Sequence, residues 1–218
     1  DKIAAPVLTE IERRLSWRSQ EGLSMDRRIA NVGLALLSLK ELEYLGTTYS
    51  DGLASRVQRL TDRLLNPLEQ EWIGATQNGG VIPRVKALRM KIMPDMVQGR
   101  VDSEERSRRW RQLEDIYLAQ QLSNYPPDYL DRPSVDRLRE TIERLEEDLT
   151  DEMRVHGQLK AVIEVAPKIE VSPRRDRKAV VDPLISQIEL DLQGMLDRLA
   201  LESRPYGESP APADPHGR

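Results

Sequence analysis

Apolar residues recur at three- and four-residue intervals along most of the chain, and this period predicts a succession of amphipathic helices. Ile3–Trp17 carries Val7, Ile11 and Leu15 on one face. Met25–Leu45 carries Ile29, Val32, Leu36, Leu39 and Leu42, with Ser24 placed to cap its start and Gly46 its end. A segment opening at Ser50 or Asp51 aligns Leu53, Val57, Leu60, Leu64, Leu68 and Trp72. Pro67 inside it predicts a kink or break, because proline has no amide to donate and crowds the preceding turn. Val81–Val97 repeats the period through Val85, Leu88, Ile92 and Met96, with Pro94 bending the last turn. Ser103–Leu122 carries Trp110, Leu113, Ile116 and Tyr117, and the prolines of "SNYPPDYLDRP" end it. Val135–Met153 has the sharpest stripe: Val135, Leu138, Ile142, Leu145, Leu149 and Met153. Asp182 caps a last helix bearing Ile185, Ile188, Leu192, Met195 and Leu199.

One stretch breaks the period. "KAVIEVAPKIEVSP", Lys160–Pro173, is β-branched and interrupted by Pro167, and it predicts a strand over about 161–171. No second convincing strand accompanies it, and a lone strand leaves its backbone donors and acceptors unpaired. The expected fold is mainly α: an irregular antiparallel helical bundle over 1–155, then a terminal strand and helix over 156–201. Residues 202–218 are Pro-rich and poor in apolar residues, which predicts a disordered tail. No repeat of 30 to 50 residues is visible, which argues against an array of regular helical repeats.

Composition narrows the function classes. At 218 residues and 39% apolar the chain can bury a sizeable core, while 32% charged residues point to long exposed helical faces. A net charge of −4 is no nucleic-acid footprint. Without cysteine there is no disulfide framework, thiol nucleophile or thiolate metal site. No apolar run approaches the roughly 20 residues that cross a bilayer, and no signal peptide precedes the first helix, so a cytoplasmic location is expected, with room for a peripheral position at the inner membrane face. The chain opens on Asp1 rather than Met, from which we expect it to belong to a longer gene product.

Candidate chemistry is sparse. The histidines are His156, followed by "GQLKA" with no carboxylate at the fifth position, and His216 in the tail. No glycine-rich phosphate loop, GxSxG elbow or HExxH pair occurs. No cofactor and no metal site is expected. The carboxylates of "ERLEEDLTDE" alternate with arginine as a solvated helical face does, and Glu41 and Glu43 in "LKELEYL" read as structural ion-pair partners of Lys40 or an arginine. Arg106, Arg108, Arg109, Trp110 and Arg111 place an indole among guanidinium groups, as segments that meet anionic lipid headgroups do. The plainer reading makes Trp110 the head of a buried stripe and the arginines ordinary surface, and it is favoured because Glu104, Glu105, Glu114 and Asp115 dilute the positive field.

"NVGLALLSLKELEYLG", then "VKALRMKIMPDMVQGRVDSEERSRRWRQLEDIYLAQQLSNYPPDYLDRPSVDRLRETIERLEEDL", then "VIEVAPKIEV", resemble in that order the C-terminal part of long bacterial phospholipid/glycerol acyltransferases related to lysophosphatidic acid acyltransferases. The likeness spans roughly residues 1–201. It implies an α/β catalytic core with an HxxxxD motif and an EGxxS-type phosphate-binding motif. It also implies a late strand of the form hydrophobic-x-hydrophobic-G-x-P-I. Neither of the first two motifs occurs here, and Ala166, Pro167 and Lys168 stand where the strand pattern has Gly, x and Pro.

On this resemblance the helices form a long insertion or lid. The strand and last helix join an acyltransferase core whose other strands lie upstream of Asp1, and the parent uses acyl-CoA or acyl-carrier protein with a lysophospholipid. In the HxxxxD arrangement the histidine deprotonates the acceptor hydroxyl and the carboxylate fixes its tautomer. No catalytic residue can be carried over to this sequence, so the chain alone is expected to be inactive. The alternative is a stand-alone helical scaffold that binds protein partners.

Overall fold

A computed structural model describes residues 3–126, 128–171 and 182–207; among them are seven helices and no strand, with 63% of residues helical. The helices are α1 (Ala4–Arg14), α2 (Met25–Leu45), α3 (Leu53–Trp72), α4 (Val81–Val97), α5 (Ser103–Leu122), α6 (Val135–Thr150) and α7 (Pro183–Ala200). The chain forms two compact units, one from Asp1–Asp26 with Arg132–Arg218 and one from Arg27–Asp131, so the boundary expected at 155/156 falls inside the first.

In the middle unit α3, α4 and α5 pack on one another around Leu60, Leu64, Leu65, Leu88, Ile92 and Ile116. The stripe expected on α4 is the buried one: Val85, Leu88, Ile92 and Met96 all face this core. Helix α3 runs on through Pro67 instead of ending there. Proline removes one backbone hydrogen bond, and the buried Leu64, Leu65 and Leu68 around it hold both sides of the helix in place. Helix α2 departs from its expected face. Leu39 and Leu42 are exposed, while Leu37 and the charged Glu41 are buried, because Glu41 has an ion-pair partner inside.

In the terminal unit α1 packs against α6, burying Leu8, Ile11, Leu138, Ile142 and Leu145. Ser134 caps α6 by accepting from Arg137 N, and Asp151 closes it in the left-handed conformation at φ 56°. That cap ends α6 at Thr150, so Met153 does not continue the stripe and is 78% exposed. Asp182 caps α7 as expected, accepting from Leu184 N, yet α7 buries none of its residues.

Residues 159–171 form no ladder. The strand expected over 161–171 is not formed, since no neighbouring strand lies among the described residues to pair with it; instead Glu164 binds Arg198 at 2.5 Å and Lys160 binds Glu202 at 3.2 Å. The expected disorder over 202–218 is corrected for 202–207; residues 208–218 lie outside the described residues. Val135 N donates to Arg204 O and Tyr206 N to Pro133 O, both at 2.9 Å, giving an isolated Ser134–Pro205 bridge that fixes this segment to the start of α6.

Candidate functional site

The polar interior of the middle unit is built from one device used twice. Near the end of α2, Glu41 accepts from Arg56 Nε at 2.9 Å and Nη2 at 2.7 Å, and from Tyr49 N at 3.4 Å. Near the end of α3, Glu69 accepts from Arg84 Nε at 2.7 Å and Nη2 at 3.1 Å, and from Gln77 N at 2.9 Å. Both glutamates are fully buried. Each ties the loop after its own helix to the first turns of the next one. The helices end alike, with Gly46 at φ 72° and Gly74 at φ 89°, a conformation that costs a residue without Cβ nothing.

The recurrence is legible in the chain once the device is known. "ELEYLGTTYSDGLASRVQRL" from Glu41 aligns without gaps with "EQEWIGATQNGGVIPRVKAL" from Glu69, matching Glu41/Glu69, Gly46/Gly74, Gly52/Gly80, Arg56/Arg84 and Leu60/Leu88. Reading for apolar period alone passes over it, because the shared residues that define it are charges and glycines. This recurrence, 28 residues from Glu41 to Glu69, falls below the 30 to 50 residue range in which no repeat is visible. In the terminal unit Glu12 accepts from Gln20 N at 3.0 Å, the same eight-residue reach from a buried glutamate to a loop amide.

In the arginine cluster of α5, for which the plain structural reading is favoured over lipid contact, Arg109 turns inward while Arg106 and Arg108 stay half-exposed and tied to acceptors of the protein. Arg109 is buried, donating to Glu105 Oε1 at 2.7 Å and Ile92 O at 3.0 Å, with its guanidinium 4.7 Å from the Trp72 ring centre. Arg108 bridges Glu105 at 2.7 Å and Glu71 at 2.5 Å. Arg106 donates to Met96 O at 3.0 Å. Arg108, and after it Arg109, pull the Glu105 carboxyl down to about 2. Trp110 does not head a buried stripe: it is 54% exposed, with Arg111 exposed beside it. The buried indole neighbourhood belongs to Trp72, whose Nε1 donates to Gln112 Oε1 at 3.1 Å. Glu43 meets Lys40 at 2.7 Å, as expected of that pair.

His156 lines a cleft of about 350 Å³ in the terminal unit, walled by Val7, Leu138 and Ile142 with Arg139, Glu143 and Tyr206 among its polar groups. The ring Nε2 lies 2.5 Å from Glu146 Oε2, and His156 N donates to Glu143 Oε1 at 2.7 Å. Tyr206 closes the cleft by accepting from Met25 N at 3.3 Å through its hydroxyl. The histidine is thus held by carboxylates, with no serine, threonine or cysteine hydroxyl or thiol among the lining residues for it to activate.

Among the described residues no cluster of three or more His, Asp or Glu is arranged to hold a metal ion, and no helix is long and apolar enough to cross a membrane. No protein-family model, curated protein or solved structure matches the chain.

Proposed function

We propose that the chain is the helical region of a glycerolipid acyltransferase, one that transfers an acyl group to lysophosphatidic acid or a related acceptor. In this role it supplies surface rather than catalytic groups. The resemblance noted above is the source of this reading, and one observation carries it further: the segment around Ile163 and Val165, both 86% exposed, and α7 at Ile185, Ile188, Leu190, Leu192 and Leu196 present exposed apolar side chains among the described residues. A β-branched run with free backbone groups is suited to extend the edge of a sheet, and an amphipathic helix following it is suited to cover that sheet's face. A mixed α/β core bearing the HxxxxD and phosphate-binding motifs offers both surfaces.

The test joins the full chain to such a core. Thioester consumption with lysophosphatidic acid is expected from the joined protein and not from the chain alone, and the amides of residues 161–165 become protected from exchange on joining. Turnover by the chain alone that His156→Ala abolishes overturns the reading.

A second reading, a non-enzymatic scaffold, draws on the recurring Glu41–Arg56 and Glu69–Arg84 clamps. Helical units that repeat along a chain build extended surfaces for protein partners. Under it the joined protein stays inactive and residues 161–165 stay unprotected.

A further inference from the structure

The cationic surface available to a partner lies on α4, not on α5. The outward side of α4 presents Ile82, Lys86, Met90, Met93 and Val97 at spacings of four, four, three and four, so these side chains lie along one stripe of the helix. Met90 is 66% and Val97 77% exposed, and Ile82 and Met93 are exposed with them. Beside this stripe on the same helix, Val85, Leu88, Ile92 and Met96 face the core, so α4 carries two neighbouring apolar stripes, one buried and one exposed. Burial explains one stripe and leaves the other without a purpose inside the fold.

Charge completes the pattern. Lys86 lies within the outer stripe and Arg89 flanks it, both lining the same groove, and neither has an ion-pair partner among the described residues. The one carboxylate of α4, Asp95, is matched by Arg100 at 2.6 Å and Arg109 at 3.4 Å. In a chain of net charge −4 this helix face is locally positive. By contrast, Arg106, Arg108 and Arg109 on α5 are engaged by acceptors of the protein itself.

We infer that the outer face of α4 is a contact surface for an anionic phospholipid bilayer. Four flexible or branched apolar side chains enter the headgroup–acyl boundary, and the long stems of Lys86 and Arg89 let their charges rise to the phosphates. The groove beside them, about 490 Å³, is walled by Met90, Met93, Val97 and Gln98 and ends at Gln120 on α5. This deepens the acyltransferase reading, on which it rests for the presence of a lipid acceptor. Vesicle binding and acyl transfer are separate readouts, so either can fail alone.

The full chain is to be floated with vesicles of phosphatidylcholine alone and of phosphatidylcholine with phosphatidylglycerol. Binding is expected to the anionic vesicles, to fall as salt rises, and to drop by about tenfold or more in Met90→Asp/Val97→Asp and in Lys86→Glu/Arg89→Glu. Trp110→Ala/Arg111→Gln on α5 is expected to leave it within about twofold. Since the chain has no cysteine, a fluorophore on Met93→Cys reports insertion directly. Brominated acyl chains should quench it, and should not quench the same label on Arg111→Cys. No binding to anionic vesicles, equal binding to neutral ones, loss of binding in the α5 variant alone, or an unquenched label at position 93 overturns the proposal.

Discussion

Arg84 grips Glu69 with two nitrogens, Nε to Oε1 at 2.7 Å and Nη2 to Oε2 at 3.1 Å, and its remaining donors reach Asp62 at 3.0 Å and Asn66 at 2.8 Å. Glu69 in turn holds the amide of Gln77. One buried contact therefore sets how α3 ends, where its loop turns and where α4 begins. Any surface on α4 inherits its position from this pair.

Removing one partner should be much worse than removing both. Arg84→Met leaves a buried carboxylate without its cation and is expected to cost about 3–5 kcal/mol, whereas Glu69→Leu/Arg84→Met, which leaves no lone buried charge because Asp62 is half-exposed, should recover much of that loss. Urea unfolding of the two single variants and the double variant measures it. Additive losses would show that the pair acts as two independent packing contacts.

The apolar period carried most of the helices: α2, α4 and α5 lie where it puts them, and Leu138, Ile142 and Leu145 are buried as the α6 stripe requires. It misplaced the inner face of α2 because a buried Glu41 counts as polar in any such reading, and its cost is offset by an arginine fifteen residues away. Trp110 illustrates the converse. Its spacing fits the α5 stripe, but Arg109 takes the inward position beside Trp72. Long-range ion pairing decides both cases, and residue spacing on one helix does not contain it. On α5 only part of the arginine pairing is local: Glu105 holds Arg108 and Arg109 on the same helix, while Glu71 and Asp95 reach them from α3 and α4.

Acid should destabilise the middle unit with a defined sign. The Glu41 carboxyl is held below its ordinary value of 4.5, chiefly by Arg56 and also by the Tyr49 amide. Asp51 and Asp95 are lowered too, by Arg59 and Arg100 respectively, and Glu105 is drawn to about 2. Groups with lowered folded-state values bind fewer protons folded than unfolded. Their contribution is complete above about pH 5 and is lost as pH falls toward about 2. Glu41→Gln should be less stable at neutral pH and show a shallower decline in urea midpoint through this window. An unchanged slope would rule out Glu41 as a contributor.

The revised end of α6 separates two leucine-like positions. Leu145→Ala opens space in the α1–α6 core and is expected to cost about 2–5 kcal/mol. Met153→Ala lies beyond the Asp151 cap and should fall within about 0.5 kcal/mol of the parent. Comparable losses in thermal or urea melts would place Met153 back in the core and contradict the cap.

The stretch from Leu159 to Val171 should govern self-association. Ile163 and Val165 lie one position apart from Glu164, so an extended backbone puts both on the same side, away from the Glu164–Arg198 contact. With no strand beside it among the described residues, the segment offers unpaired amides and carbonyls together with a β-branched stripe, the combination that recruits another chain. Ile163→Lys/Val165→Lys places two charges on that stripe and touches no buried residue, since both positions are exposed. Light scattering at rising concentration should show the parent associating and the variant remaining dispersed, with the two melting alike. Equal scattering from both would assign self-association to another surface, α7 first among them because its apolar residues are also uncovered. On the proposed acyltransferase reading, the same two lysines should lower transfer in the joined protein, because charges on the face meant to pack would keep the segment from lying against a core.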